Sequence, residues 1–215
     1  MSMFDSLLAE EGRASRDGRI SGVVVGIVTN NDDPDKMGRV KVKFPWLSDE
    51  DESDWARVAA PMAGNERGFY CLPEVEDEVL VAFERGDVHF PFVLGALWNG
   101  RDAPPASNDD GKNNVRVLKS RSGHVIRLTD EDGKEKVEII DKGGKNQLVF
   151  DTAENTVTVS AGKDLTLSAE EGAIKLKAKS VEIESSADTK IKAGSGMNVE
   201  ASGTMTVKGA TVNIN

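Results

Sequence analysis

The stretch GAIKLKAKSVEIESSADTKIKAGSGMNVE, residues 172–200, decides the fold of the C-terminal half. Aliphatic residues recur in it as pairs with one residue between them, and successive pairs begin about eight residues apart. The neighbours of the paired residues are charged or polar, as Lys175 and Glu182 are. Alternation with a period of two is typical of a β-strand with one dry face and one wet face. The stretch therefore predicts short strands that repeat with short turns between them.

The same pattern continues on both sides of this stretch. Similar pairs run from Val157 to Ile214, and looser versions with longer turns reach back to near Val115. The aliphatic members of the pairs are the predicted core of this half. They are Val157, Val159, Leu165, Leu167, Ile174, Leu176, Val181, Ile183, Ile191, Met197, Val199, Met205 and Val207.

So narrow a dry stripe is difficult for one chain to bury. Beyond residue 107 there is one aromatic side chain, Phe150, and ordering the backbone costs ~1–2 kcal/mol per residue. A single-chain parallel β-helix is the alternative, but its coils need more than eight residues. Three copies wound about one axis would bury every stripe and leave no exposed sheet edge. We therefore predict an intertwined, triple-stranded trimeric β-helix prism for residues 115–215, a homotrimer, and the absence of proline there fits a fully paired ladder.

The N-terminal half has a different composition. Ten of the eleven aromatic residues and all seven prolines precede residue 107. Apolar alternation from Gly22 onward predicts a compact all-β barrel of the OB-fold type over residues 20–100. Its short strands lie near residues 23–28, 40–44, 55–60, 79–83 and 92–97, with Val79, Val81 and Phe83 facing inward. The Pro-, Gly- and Asp-rich residues 101–114 are the predicted linker. Residues 1–19 are a predicted arm with a short amphipathic helix carrying Phe4, Leu7 and Leu8.

Charge and composition exclude several functions. The net charge of -10 disfavours nucleic acid and anionic membranes as partners, although Arg39, Lys41 and Lys43 beside aromatic residues could mimic a stacking platform. Cys71 is the single cysteine, and the only histidines, His89 and His124, are far apart. Carboxylates are abundant enough that close pairs are expected on the surface alone. We predict no catalytic, cofactor-binding or metal site, and hence no enzyme.

Several blocks of the first half carry a family resemblance. They are GRVKVKFPW at 38–46, WARVAAP at 55–61, LPEV at 72–75, DEVLVAF at 77–83 and PFVLGALWNG at 91–100. In order and spacing they resemble the OB-fold domain of contractile injection system spikes, namely the phage baseplate central spike, baseplate assembly protein V, and the valine-glycine repeat proteins of type VI secretion. The resemblance covers roughly residues 20–100 and implies a trimeric β-helix after the barrel.

The resemblance also implies a mechanical role. The barrel would sit on a tail hub protein, and sheath contraction would drive the prism through the target envelope, so that the membrane is contacted only mechanically. Some phage spikes end in a His-x-His iron site, which is missing here, so we expect a PAAR-repeat tip protein on Val212, Asn213, Ile214 and Asn215. The hub would dock on the arm residues Phe4, Leu7 and Leu8. No secretory signal is readable, so we expect synthesis in the cytoplasm and assembly into a phage tail or injection particle.

Two other readings stay open at this point. A β-helical polysaccharide-binding or -cleaving tail protein would need exposed aromatic residues and paired carboxylates on the ladder, where Phe150 is the one aromatic residue. An OB-fold nucleic-acid binder with a fibrous tail is opposed by charge. Phage tails, tailocins and extracellular injection particles are not distinguished by the sequence.

Overall fold

The computed structural model describes residues 19–47 and 51–214. The predicted helical arm, with Phe4, Leu7 and Leu8, lies outside the described residues. The chain divides into two compact units, residues 1–163 and 164–215, which are described separately. Within the described residues, no helix is both long and apolar enough to cross a membrane.

The first unit begins with a closed barrel of five strands. Its strands are β1 (Val23–Asn30), β2 (Arg39–Lys43), β3 (Ala56–Val58), β6 (Glu78–Phe83) and β7 (Pro91–Ala96), and a two-stranded ribbon of β4 (Ala63–Gly64) and β5 (Arg67–Gly68) is inserted. The order around the barrel is β1-β2-β3-β7-β6. Neighbours are antiparallel except for β3 and β7, which are parallel. The prediction of an all-β barrel in the OB region is confirmed.

The barrel core consists of alternate residues of these strands, as the period-two pattern predicts. The predicted inward positions of β6, Val79, Val81 and Phe83, are buried, and so is Val40 on β2. The remaining buried apolar residues are Val28, Val42, Phe44, Ala56 and Val93. The 3₁₀ turn Glu84–Gly86 begins the connection from β6 to β7, and Gly86 adopts a φ of +81°, a conformation that glycine tolerates best.

The rest of the first unit is a five-stranded antiparallel meander. It consists of β8 (Val115–Lys119), β9 (Val125–Thr129), β10 (Lys136–Ile140), β11 (Gln147–Asp151) and β12 (Thr156–Ser160), in that order. Each of its four hairpin connections contains a residue with positive φ that lets the chain reverse. These residues are Gly123, Gly133, Gly144 and Asn155. The upstream part of the predicted ladder therefore pairs within one chain, which its period-two pattern alone does not reveal.

The second unit is built differently. Its described part is a series of straight segments at residues 164–169, 173–178, 180–185, 188–193, 196–201, 204–209 and 212–214, separated by bends. Successive bends begin seven to nine residues apart, close to the predicted repeat. No residue in 161–214 has a positive φ, none belongs to a strand, and all are exposed in the single chain.

Candidate assembly surface

One face of the five-stranded meander is apolar, and we call it the apolar sheet face. Strand register places its side chains in two columns that cross the strands. Arg116 on β8 is the charged member of the second column. The apolar members are Leu118, Ile126, Ile139, Leu148 and Val159 in the first column and Leu128, Val137, Phe150 and Val157 in the second. All of them except Leu148 are exposed large hydrophobic residues, with exposed fractions between 37% and 62%. A soluble chain rarely exposes so continuous an apolar patch unless another surface covers it.

The opposite face of the same sheet combines aliphatic residues, such as Val117, Val125 and Val149, with ion pairs between neighbouring strands. Arg127 Nε donates to Glu138 Oε2 at 2.7 Å, and Lys136 Nζ lies 2.8 Å from Asp151 Oδ2. Both pairs join residues opposite each other in the register. The hydrogen bond from Lys136 lowers the pKa of Asp151, and the hydrogen bond to Glu138 raises the pKa of Arg127. These two ion pairs thus lie on the face opposite the apolar columns.

A polar turn closes one end of the apolar sheet face. Asp141 accepts hydrogen bonds from the backbone N–H groups of Lys145 and Asn146 at 3.0 and 3.1 Å, and the bond from the Asn146 N–H is the main cause of its lowered pKa. His124 Nδ1 accepts from the backbone N–H of Lys142 at 3.2 Å. These contacts fix the hairpin ends, so the columns keep their register.

The second unit repeats one arrangement in the six straight segments that are followed by a bend. Counted back from the following bend, the third residue is always a branched aliphatic one, and the fifth is aliphatic except in one segment. The third-residue positions are Leu167, Leu176, Ile183, Ile191, Val199 and Val207. The fifth-residue positions are Leu165, Ile174, Val181, Thr189, Met197 and Met205. Residues two apart on an extended segment point to the same side, so each segment presents one apolar edge.

The predicted core residues fall into two groups. Val157 and Val159 lie on β12 and belong to the apolar sheet face. The other predicted core residues lie in the second unit, where their exposed fractions run from 49% to 73%. They are Leu165, Leu167, Ile174, Leu176, Val181, Ile183, Ile191, Met197, Val199, Met205 and Val207. A single chain does not bury this second group.

The predicted tip and hub positions are only partly described. Val212 and Ile214 have exposed fractions of 48% and 90%, and Asn213 is also exposed. Asn215 lies outside the described residues, as do the predicted hub-docking positions Phe4, Leu7 and Leu8.

Two of the three basic residues on β2, Arg39 and Lys41, pair with carboxylates. The side chain of Arg39 bonds Asp33 through both Nε, at 2.9 Å, and Nη2, at 2.7 Å, and Lys41 Nζ lies 3.2 Å from Glu52 Oε2. The Asp33 side chain is 3% exposed, and the hydrogen bonds from Arg39 hold its pKa well below the ordinary range. Nothing in the sequence singles out Asp33, because Asp32 and Asp35 lie in the same turn.

The histidines and the cysteine do not meet. His89 Nδ1 lies 3.1 Å from Asp54 Oδ2, at the barrel, whereas His124 lies at the meander. Cys71 is exposed. Across residues 19–47 and 51–214, no cluster of three or more histidine, cysteine or acidic side chains has the arrangement of a metal site.

The barrel is the part of the chain that matches a known protein family. Residues 24–98 match the family of type VI secretion system/phage-baseplate injector OB domains. A closed five-stranded barrel over the same residues agrees with that match.

Individual relatives extend the similarity beyond the barrel. The type VI secretion system spike protein VgrG3 of Vibrio cholerae is 32% identical over 130 residues, covering 56% of this chain and 13% of that protein. The spike protein VgrG1a of Pseudomonas aeruginosa is 30% identical over 153 residues, covering 66% of this chain and 23% of that protein. The V. cholerae protein named actin cross-linking toxin VgrG1 is 31% identical over 130 residues, covering 56% of this chain and 12% of that protein.

These matches confirm the predicted resemblance: the chain is related to the central spike proteins of contractile injection systems. It spans between 12% and 23% of the length of the relatives named above.

Proposed function

We propose that the chain is the structural central spike of a contractile injection machine and that it works as a homotrimer. Beyond the OB barrel, the meanders of residues 115–160 from three copies would pack with their apolar sheet faces together, and residues 164–215 of the three copies would wind into a triple-stranded β-helix prism. The prism would pierce the target envelope when the sheath contracts, and the sheath would supply the work. The chain would therefore act mechanically and not as an enzyme.

The observation that carries this proposal is the exposure of the aliphatic residues in the second unit. Its segments each present an exposed aliphatic edge, and the single chain offers these edges no cover. Its bends contain no positive-φ residue of the kind that reverses the chain in the preceding hairpins. A chain that bends repeatedly without reversing is suited to winding around an axis, and two further copies would cover each edge. Burying each aliphatic side chain contributes ~1.5–3 kcal/mol.

The apolar sheet face supports the same assembly. Three such faces packed around one axis would bury both columns and leave the ion pairs Arg127–Glu138 and Lys136–Asp151 in water. The seven straight segments would continue the prism for ~33 Å if each adds one strand spacing of ~4.7 Å. A ladder of this kind distributes axial load over many hydrogen bonds.

The proposal includes two partner proteins. Val212 and Ile214, exposed at the end of the described chain, would form an apolar platform for a PAAR-repeat tip protein. The arm with Phe4, Leu7 and Leu8 would dock on a tail hub protein. Nucleic acid is not a proposed partner, and we place the assembled protein in a phage tail or an injection particle.

Multi-angle light scattering of the purified full chain tests the proposal. We expect a mass of about 69 kDa, three times the 23.1 kDa of one chain. A folded 23-kDa monomer would overturn the spike assignment. Release of sugars from cell-wall or capsular polysaccharide by the purified protein would instead favour a polysaccharide-cleaving tail protein.

A further inference from the structure

The wet side of the second unit carries a charge pattern that becomes visible when its segments are aligned on their bends. The second residue before each bend is, in order, Ser168, Lys177, Glu184, Lys192, Glu200 and Lys208. The fourth residue before each bend is Thr166, Lys175, Glu182, Lys190, Asn198 and Thr206. Wherever two successive positions of a series are charged, their signs are opposite. We call the eight charged residues the charge ladder.

Nothing within one chain uses these charges. All eight side chains are exposed, and within the described residues none of them takes part in an ion pair. On the face of the meander opposite its apolar columns, by contrast, Lys136 and Asp151 already meet across neighbouring strands of the same chain. The charge ladder therefore has alternating signs but no partner in its own chain.

A second copy of the chain supplies that partner, if the trimer of the proposed function is correct. In a prism of three copies related by a threefold axis, each bend carries a chain from one face to the next. The strand stacked on a given segment is then the following segment of a neighbouring copy. Lys175 and Lys177 would lie beside Glu182 and Glu184 of that copy, and these glutamates beside the next pair of lysines.

The aliphatic core cannot select this stacking by itself. Sliding one copy by a whole segment replaces Leu176 with Ile183, or Ile183 with Ile191, and keeps every apolar edge on the axis. The same slide brings segments of equal charge together, Lys177 beside Lys192 and Glu184 beside Glu200. Like charges directly opposite each other destabilise a sheet, so the slipped assemblies are disfavoured.

We propose that the charge ladder is a register device between copies: alternating Lys and Glu rows of neighbouring chains pair along the outside of the prism and exclude assemblies displaced by one segment. The occupant of this surface is a second copy of the same chain. The inference rests on the proposed trimer but makes a separate claim, because a trimer could form with a ladder that does nothing.

The test reverses the middle row and then restores alternation. The variant E182K/E184K makes three successive basic rows, and we expect its trimer to melt on the order of 5 °C lower than the unchanged trimer. The variant E170K/E171K changes the net charge equally, but at a bend, and we expect it to melt like the unchanged chain. Inverting all eight charges, K175E/K177E/E182K/E184K/K190E/K192E/E200K/K208E, preserves alternation and should restore the melting temperature.

Salt and solubility provide further readouts. The difference between E182K/E184K and the unchanged chain should shrink in 1 M NaCl, since salt screens exposed charges. If E182K/E184K is insoluble, recovery of soluble trimer on full inversion supports the ladder. The register role of the charge ladder is overturned if E182K/E184K melts at the same temperature as the unchanged chain. It is also overturned if the melting temperature of E170K/E171K falls as far, or if full inversion does not restore the melting temperature. A monomeric unchanged chain would overturn the proposed function and the ladder together.

Discussion

Asp33 and Arg39 form the most enclosed ion pair of the barrel, joined by two side-chain hydrogen bonds of 2.7 and 2.9 Å. Asp33 also accepts from the backbone N–H groups of Asp35, Met37 and Arg39, and so organises the whole turn between β1 and β2. We expect D33N to lower the thermal midpoint of the barrel by several degrees, because the neutral amide removes the enclosed carboxylate that pairs with Arg39. D35N is the matched control: Asp35 also pairs with Arg39, but its side chain is 66% exposed, so we expect its loss to cost little. Equal losses in the two variants would contradict this role of Asp33.

The same pair makes a pH prediction. Hydrogen bonds from Arg39 depress the pKa of Asp33 in the folded barrel, so the pair contributes stability above the unfolded-state pKa of about 3.9. That contribution is lost as the pH falls from there towards the folded-state pKa. We therefore expect the difference in melting temperature between the unchanged chain and D33N to be constant above about pH 5 and to narrow below about pH 4. Calorimetry across this range checks it, and a gap that widens on acidification would contradict it.

Close packing at one glycine gives a third prediction. A Cβ added to Gly26 of β1 would lie 2.3 Å from Val42 Cγ1 and 3.1 Å from the Lys43 carbonyl oxygen. We expect G26A to destabilise the barrel by about 1–3 kcal/mol, because β2 would have to move. Gly95 of β7 has nothing within 4 Å of the same added atom, so G95A should be neutral or slightly stabilising. Urea unfolding measures the free energy of unfolding of both variants. The prediction is wrong if G95A lowers that free energy as much as G26A does.

Much of this architecture could be read from the sequence, and the parts that could not have physical reasons. Alternation predicted the barrel strands, including the inward side of Val79, Val81 and Phe83, because burial on one face imposes period two. The Asp33–Arg39 pair was missed, since a turn rich in acidic residues gives no sign of which one is enclosed.

The sequence also did not predict that the C-terminal half divides into two differently built parts. Residues 115–160 and 161–214 share the same apolar alternation, yet the structure pairs only the first stretch within the chain. The difference lies in the connections, where Gly133, Gly144 and Asn155 permit reversal. The bends after residue 160 also contain glycines, such as Gly162, Gly172 and Gly194, but none of them adopts a positive φ. Because glycine occurs in the connections on both sides of this boundary, the residue types of the turns do not reveal it, and the position of a partner chain is not encoded in any one segment.

The two faces of β12 give a fourth prediction. Val159 lies in a column of the apolar sheet face, and its neighbour Thr158 faces the other side, opposite Val149. In the proposed trimer, V159E would place three carboxylates in a dry core, and we expect loss of the trimer. T158E adds the same charge at an exposed position on the opposite face of the sheet and should leave the trimer intact. Light scattering of both variants decides this, and a trimeric V159E protein would count against burial of the apolar sheet face.

Thr189 is the one polar side chain among the fifth-residue positions of the second unit, where every other aligned segment carries Leu, Ile, Val or Met. In the proposed prism its three copies would face the axis, and a hydroxyl in a dry core is unfavourable unless it finds a hydrogen-bond partner.

We therefore expect T189V, which keeps the branched shape and removes the hydroxyl, to stabilise the trimer by on the order of 1 kcal/mol per copy and to raise its melting temperature. The control is T166V, since Thr166 aligns with the outward charged positions and its replacement should change little. Thermal unfolding at equal protein concentration compares them. A lower melting temperature for T189V would mean that the hydroxyl is bonded on the axis, and the assignment of this position to a dry core would then be wrong.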